Sequence, residues 1–411
     1  MTVFYFQPGH ECFPEPPRLK PHYDILDGLR GVAALLVVAF HLFETYSGSP
    51  VRQIINHGYL AVDFFYVLSG FVVGYAYDDR WGRTMGLRDF FKRRLVRLHP
   101  LYVWGTLLGL LLYYAQQSPA FPVIGTVPWW QVLLVGAACC CALPMPVRWD
   151  VRGWTETNPL NGAAWSLLWE YVANVFYAIV LRRLSRLALG ALAAGAALCT
   201  LDLTLNLDMF GLLTGREPAV HTVIGGWSLA PTQLYIGATR LAYPFLAGLL
   251  LSRVAWRVRL SGGFWWCSAA VVVLLAMPRV GAEARPWLNG VYEAACILVV
   301  FPLVVAAGAG SRLTDARSAA VCRFLGRISY PLYITHLPIV YLQIAWASLH
   351  PDAPTSAAVV VSVGLYLFAI FVAYASMRLV DEPLRALLAR RWLRSPGARA
   401  GGAVAKSTPN G

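Results

Sequence analysis

Long apolar stretches recur along almost the whole chain, and they constrain its fold more than any other feature. A helix needs about 20 apolar residues to cross the hydrocarbon core of a bilayer. Ten stretches approach or exceed this length and contain few charged residues. The sequence therefore predicts an all-α protein, a polytopic transmembrane helical bundle. The predicted spans are 28–47, 58–77, 99–117, 163–181, 187–205, 235–252, 264–278, 287–309, 328–347 and 357–380.

The composition fits a protein whose surface faces lipid. Apolar residues make up 58% of the 411 residues and charged residues only 13%, whereas about a quarter of a soluble protein is charged. The net charge of +13 does not indicate nucleic-acid binding, because the arginines lie in short loops between apolar stretches. The eight cysteines form no CxxC pair and no metal-ligand spacing. We therefore expect no metal, no nucleic acid and no permanently bound cofactor.

The distribution of basic residues predicts the orientation in the membrane. An eleventh apolar stretch, 129–145, is shorter and ends near two prolines. If it does not span, 26 of the 34 basic residues fall on one side and six on the other. Such a bias marks the cytoplasmic side. We therefore expect ten spans, a re-entrant or interfacial element near 129–145, and both termini in the cytoplasm. The protein is expected in the inner membrane of the cell.

Three regions are expected along the chain. Residues 1–27 lack the apolar core of a signal peptide and are predicted to form a cytoplasmic N-terminal segment. Residues 28–385 form the membrane domain, and residues 386–411 form a basic tail whose composition indicates disorder. No appended extracytoplasmic domain is expected, and the oligomeric state is left open.

Arg30 and His41 are the first candidates for a functional pair. They are eleven residues apart on the first predicted helix, which places them on one face and about 16 Å apart along the axis. A cation at the end of a helix, such as Arg30, is suited to bind phosphates. An imidazole deeper in the membrane, such as that of His41, is suited to act as a general base or a nucleophile. In the alternative interpretation, Arg30 anchors the helix at the membrane surface and His41 hydrogen-bonds a neighbouring helix.

Five segments together indicate a family. They are 26–31 (LDGLRG), 61–71 (AVDFFYVLSGF), 91–102 (FKRRLVRLHPLY), 165–170 (WSLLWE) and 326–336 (GRISYPLYITH). In this order they resemble the acyltransferase 3 family of bacterial membrane acyltransferases, including its Arg-x10-His pattern at Arg30 and His41. The resemblance implies transfer of an acyl group, commonly acetyl, from a cytoplasmic donor to a carbohydrate or another acceptor.

The resemblance also suggests which basic residues bind the donor. Arg94 and Arg97 match the family's Arg-x-x-Arg pattern and are neighbours on a helix face. With Arg30 they are predicted to bind the phosphates of acyl-CoA, most simply acetyl-CoA. The alternative is that this basic segment only sets the topology and binds anionic lipid.

The remaining candidates lie at mid-depth in predicted spans. Asp63 and Glu170 are expected near the outer leaflet beside His41, with Glu170 acting in catalysis and Asp63 orienting the imidazole or the acceptor. Glu170 is flanked by Trp165 and Trp169, an arrangement suited to sugar stacking. Asp63 has the alternative of an interhelical hydrogen bond, and Glu170 that of a structural carboxylate within an aromatic belt.

Tyr333 and His336 share a face of the ninth predicted span. They are expected to orient the substrate, and His336 is the rival of His41 as the base. As a candidate base His336 ranks second to His41, because no cation lies on the same helix face at the end of the helix. Ser69 and Gly70 are interpreted as helix-packing residues, since no nucleophile-elbow pattern surrounds Ser69.

These residues predict a membrane-bound O-acyltransferase. His41 accepts the acyl group or acts as base, and the acceptor is a hydroxyl of an exopolysaccharide or a lipid-linked sugar, selected by the loops 117–162 and 207–234. Two other functions are left open. A secondary transporter for an anionic or sugar substrate also places ionisable residues at mid-depth, and a scaffold for polysaccharide assembly would tolerate changes at His41.

Overall fold

The structure is a computed structural model that describes residues 22–48, 52, 53, 55–281 and 284–393. Within these ranges thirteen α-helices form the framework. They are α1 (Asp24–Ser47), α2 (Ala61–Tyr77), α3 (Leu87–Leu112), α4 (Trp129–Cys140), α5 (Ala164–Ile179), α6 (Arg186–Leu205), α7 (Pro231–Val254), α8 (Gly263–Ala276), α9 (Trp287–Ala295), α10 (Phe301–Gly310), α11 (Ala316–Leu349), α12 (Thr355–Ser376) and α13 (Glu382–Trp392).

The predicted all-helical membrane bundle is confirmed. Short π-helical turns join α9 to α10 and α12 to α13, so that the described residues contain nine helical segments long and apolar enough to cross a membrane. Two helices are shorter. α4 has 12 residues and covers about 18 Å, against about 30 Å for the hydrocarbon core, as expected for an element that does not span. α8 corresponds to the predicted span 264–278 but has only 14 residues.

Two predicted boundaries differ from the structure. α3 begins at Leu87 instead of residue 99, so that the basic segment around Arg94 is part of the helix and not a loop. At the other end, α13 continues to Trp392, into the segment predicted to be a disordered tail. The N-terminal residues 1–21 and the tail residues 394–411 lie outside the described residues.

Glycines allow the central helices to pack closely. A Cβ at Gly31 of α1 would overlap the backbone of Leu325 in α11, and a Cβ at Gly70 of α2 would overlap the Phe245 carbonyl in α7. Small residues permit this close approach between membrane helices. The contact at Gly70 confirms its predicted packing role, and these pairs carry most of the candidate site residues.

Two long loops fold over one end of the bundle. The loop 206–230 is fixed by Glu293 of α9, whose carboxylate accepts hydrogen bonds from the Val223 amide at 2.7 Å and from the Tyr59 hydroxyl at 2.5 Å. The loop 141–163 is fixed by Arg152, which is 1% exposed and donates to the Pro159 carbonyl and to Gln116. Backbone groups that enter an apolar bundle need such partners.

Candidate active site

Two cavities lie at opposite ends of α1. The first, here called the arginine pocket, encloses about 970 Å³ and is lined by Arg30, Arg94 and Arg97 among others. The second, the histidine pocket, encloses about 580 Å³ and is lined by His41 and His336. Arg30 therefore belongs to one cavity and His41 to the other, about 16 Å apart along the helix axis.

Tyr333 is the junction between the two cavities. It lines both of them, as does Val62. Its hydroxyl forms a 2.6 Å hydrogen bond with Ser166 of α5, and its ring packs edge-on against Phe65. A ligand arm that passed from the arginine pocket to the histidine pocket would have to pass this side chain.

Arg94 is the most deeply buried cation of the arginine pocket. It is 4% exposed, it forms an ion pair with Glu170, and Ser69 donates to the same carboxylate oxygen at 2.6 Å. Asn174 in turn donates to the backbone carbonyl of Glu170 at 2.8 Å. A buried arginine of this kind is held in place by its carboxylate partner, and its Nε has no partner among the described residues.

Arg30 and Arg97 are more accessible. The Arg30 guanidinium bonds Asp27, one turn earlier on α1, and donates from Nε to Ser329 at 3.2 Å. Arg97 is half-buried, and none of the carboxylates that the structure describes forms an ion pair with it. Unpaired donors facing a cavity are suited to phosphate oxygens.

Further arginines that the sequence analysis did not single out as donor ligands complete the pocket. Arg327 of α11 forms an ion pair with Glu382 of α13, and Arg385 forms one with Asp381, so that the C-terminal helix closes one side of the cavity. The other lining arginines are Arg80, Arg93 and Arg323. With eight arginines and five carboxylates in its lining, this cavity has an excess of positive charge.

His41 and Glu44 form a carboxylate–imidazole pair in the histidine pocket. Glu44 lies one turn after His41, and its Oε2 is 2.8 Å from His41 Nδ1. Because a carboxylate is an acceptor, Nδ1 carries the proton in this pair, and Nε2 is then free to act as base or nucleophile. This is the arrangement that orients the imidazole in hydrolases and transferases.

His336 stacks on His41, with ring centroids 5.4 Å apart. It is fully buried, and its Nδ1 is 2.7 Å from the Tyr333 carbonyl, so that Nδ1 is the protonated nitrogen. Its Nε2 has no hydrogen-bond partner among the described residues. The two histidines, predicted as rival bases, thus lie together in one cavity.

Aromatic and acidic side chains also line the histidine pocket. Trp165 of α5, Trp154 and Trp227 of the two long loops, and Glu156 all line it. Burial raises the pKa of Glu156 to about 7, although the nearby Arg152 opposes the shift. Indole rings beside a carboxylate suit a ligand with apolar C–H faces and hydroxyl groups.

Asp63 is held in an ion pair between two helices. Asp63 is fully buried and bonds Arg240 of α7, with Oδ2 2.7 Å from Nη2, and it lines neither pocket. The interhelical alternative for Asp63 is thus the one that the structure shows. Arg240 itself reaches the histidine pocket, 5.2 Å from the Trp165 ring.

Glu170 lies in the arginine pocket and not beside His41. The physical reason is the early start of α3, which carries Arg94 into the bundle at the depth of Glu170. Which residues of two helices pair depends on how the helices pack. The position of a residue along its own helix does not show this. The sequence did hold a signal for Glu44, since residues three apart on a helix are neighbours. We find no comparable sequence signal for Glu156 or Ser166.

Comparison with known proteins identifies the class. The model of the acyltransferase 3 family, described as an acyltransferase domain, matches residues 23–378. Fold and match together define a multi-pass membrane acyltransferase. The chain belongs to the acyltransferase 3 family, as the motifs in the sequence predicted. The family also decides in favour of acyl transfer over the transporter and scaffold functions.

Individual relatives agree with this class. The chain is 34% identical to protein 2 in the picA locus of Rhizobium radiobacter over 161 residues, which is 38% of this chain and 80% of that protein. It is 25% identical to the acyltransferase MdmB of Streptomyces mycarofaciens over 79% of this chain and 80% of the relative. It is also 25% identical to a putative O-acetyltransferase of Staphylococcus aureus over 77% of this chain, a match that spans half of the relative. No solved structure gives a significant match.

Proposed function

We propose that the protein transfers an acyl group, most simply acetyl, from acyl-CoA to a hydroxyl of a carbohydrate acceptor such as an exopolysaccharide or a lipid-linked sugar. The observation that carries this proposal is the pair of cavities meeting at Tyr333, one lined by arginines and the other by two histidines. The relatives named as acyltransferase and O-acetyltransferase support the reaction type.

The donor is assigned to the arginine pocket. Coenzyme A carries several phosphates, and arginine recognises phosphate with paired hydrogen bonds. Arg97 and Arg30 supply accessible guanidinium groups, and Arg94 is held at the floor by Glu170. Glu170 thus acts on the donor side in this scheme, by positioning Arg94.

The reaction is assigned to the histidine pocket. The pantetheine arm passes Tyr333 and brings the thioester carbonyl to His41. Nε2 of His41 then takes the proton of the acceptor hydroxyl while the hydroxyl oxygen forms the new C–O bond. The C–S bond breaks, and the protonated His41 returns its proton to the sulfur, so that CoA leaves as the thiol. The alternative order, in which His41 first carries the acyl group, uses the same nitrogen and the same support from Glu44.

The orientation follows from the charge distribution. Basic residues concentrate at the end of the bundle where the arginine pocket opens, and such residues face the cytoplasm in membrane proteins. Acyl-CoA would enter from that side, and the acceptor would bind under the loops at the other end. This orientation places the N-terminus of α1 and the C-terminus of α13 in the cytoplasm.

Acetylation by the purified protein tests the function. With radiolabelled acetyl-CoA and glycan extracted from cells that lack the gene, the wild-type protein should release CoA and label the glycan. His41→Ala should abolish labelling while the protein stays folded and membrane-inserted, as judged by its thermal unfolding in detergent. Full labelling by His41→Ala would exclude the proposed role of this histidine.

A further inference from the structure

Glu156 occupies a wall of the histidine pocket that the catalytic scheme has not used. It lies in the loop 141–163, is 8% exposed, and lines the cavity together with Trp154 of the same loop and Trp227 of the loop 206–230. His41 lines the same cavity from α1. A carboxylate and indole rings from two loops thus face the histidine across one space.

The carboxylate is held by a built arrangement. The Tyr341 hydroxyl of α11 lies 3.2 and 3.1 Å from the two oxygens of Glu156 and donates to them. The Gly162 amide donates to that hydroxyl at 3.0 Å. A Cβ at position 162 would overlap both the carboxylate and the hydroxyl, so that glycine is needed there. Arg152 packs 3.8 Å from the centre of the Tyr341 ring and fixes it from behind.

Glu156 has acceptor capacity that the protein does not fill. An ionised carboxylate offers about four lone-pair positions, and the single proton of Tyr341 satisfies one of them. No other donor among the described residues hydrogen-bonds this carboxylate. Arg152 gives its donors to Pro159 and Gln116 instead. Because a buried carboxylate gains from further donors, the open side of Glu156 suits a ligand with hydroxyl groups.

We propose that Glu156, together with Trp154 and Trp227, forms the subsite that binds a neutral sugar acceptor, with the carboxylate accepting a hydrogen bond from an acceptor hydroxyl. The inference rests on the proposed acyl transfer and adds the acceptor-positioning group. The indole rings cover the apolar C–H face of the sugar, and Glu156 fixes the rotation of the ring beneath His41.

The subsite should give acceptor binding a dependence on pH. Burial raises the pKa of Glu156 to about 7, and the Tyr341 hydrogen bond opposes this rise. Above that pH the carboxylate is ionised and accepts strong, charge-assisted hydrogen bonds, and below it the group is protonated and accepts them more weakly. The KM for the acceptor should therefore rise as the pH falls through about 7. The ionisable groups around Glu156 are Arg152 and Asp150 of its own loop, Tyr341 and His336 of α11, Glu44 and His41 of α1, and Arg240 of α7.

The experiment compares two acceptors with the full-length protein in detergent. Release of CoA from acetyl-CoA is measured with a set of neutral methyl glycosides and, separately, with hydroxylamine, which is too small to need the subsite. The variants are Glu156→Gln, Glu156→Asp and Tyr341→Phe. The control is Glu217→Gln, an exposed carboxylate of the loop 206–230.

Glu156→Gln should raise the KM for the glycoside about tenfold, the value of one hydrogen bond to a charged group, with the KM for acetyl-CoA unchanged. It should also remove the pH dependence near 7. Glu156→Asp should restore part of the affinity. Tyr341→Phe removes a hydrogen bond that stabilises the ionised form, so that the pH dependence should move to higher pH. The Glu217→Gln control should match the wild-type protein.

Three results would overturn the inference. An unchanged glycoside KM with the pH dependence intact in Glu156→Gln would show that this carboxylate does not bind the acceptor. An equal loss with glycosides and hydroxylamine would indicate a structural role. Acylation of hydroxylamine by the wild-type protein without acylation of any glycoside would exclude a neutral-sugar subsite. Absence of CoA release with hydroxylamine in the wild-type protein would instead contradict the proposed function itself.

Discussion

Replacement of Glu44 should reduce the turnover number and leave donor binding intact. Glu44 contacts His41 Nδ1 at 2.8 Å and lies in the histidine pocket, away from the arginines. Glu44→Gln keeps a hydrogen-bond acceptor and removes the charge that stabilises a protonated imidazole. Glu44→Leu removes both the acceptor and the charge, so that the ring loses its fixed orientation as well.

The expected magnitudes follow from the exposure of the pair. A hydrogen bond to a charged group contributes about 1.5–3 kcal/mol, and the His41 and Glu44 side chains are 27% and 30% exposed, which favours the lower end. With about 1.4 kcal/mol for each factor of ten, Glu44→Gln should lower kcat about tenfold. Glu44→Leu should lower it about a hundredfold, because the tautomer is no longer selected.

The assay is CoA release from acetyl-CoA at saturating acceptor, with kcat and the KM for acetyl-CoA determined separately. Glu217→Gln serves as the matched carboxylate control, since it lies on an exposed loop. Wild-type kcat in both Glu44 variants would refute the argument that the carboxylate supports His41. A raised KM for acetyl-CoA at constant kcat would refute the assignment of Glu44 to the catalytic reaction in the histidine pocket.

Three further changes have defined outcomes. Arg97→Gln should raise the KM for acetyl-CoA about tenfold, because the guanidinium group faces the donor cavity. Thermal stability should stay unchanged, because Arg97 forms no ion pair with the described carboxylates. An unchanged KM would count against the assignment of Arg97 to the phosphates of acetyl-CoA. Asp63→Asn should destabilise the protein by about 3–5 kcal/mol, because it leaves Arg240 buried without its partner, and an unchanged melting temperature in detergent would contradict this. Tyr333→Phe removes the 2.6 Å hydrogen bond to Ser166. Because that bond holds Tyr333 between the two cavities, its loss should speed the hydrolysis of acetyl-CoA in the absence of acceptor severalfold.

The general fold could be predicted because it depends on the length and hydrophobicity of continuous segments of the chain. Apolar length predicted nine of the ten spans as long helical segments, whereas 264–278 corresponds to the 14-residue α8. The helix ends were less predictable, because α3 carries basic residues such as Arg94 within its first turns. The partly buried carboxylate of Glu170 pairs with Arg94 there, and this partner lies on another helix, 76 residues away.

The candidate site was predictable where it lies on one helix. The spacing of Arg30 and His41 placed them at two ends of α1, and the structure puts each in its own cavity. Their roles, like those of Trp165, Tyr333 and His336, stay predictions for the experiments above. For Asp63 the structure shows the interhelical alternative, an ion pair with Arg240 of α7. The predicted place of Glu170 beside His41 was wrong, because its ion pair with Arg94 of α3 depends on interhelical packing.

The most direct test of the account is the structure of the protein bound to a non-hydrolysable thioether analogue of acetyl-CoA. The account predicts phosphates at Arg30, Arg94 and Arg97, and the pantetheine arm passing Tyr333. It places the carbonyl group inside the histidine pocket, where the oxygen of an acceptor hydroxyl bonded to His41 Nε2 can lie about 3–3.5 Å from the carbonyl carbon. An analogue whose phosphates lie outside the arginine pocket, or whose carbonyl group does not reach the histidine pocket, would contradict it.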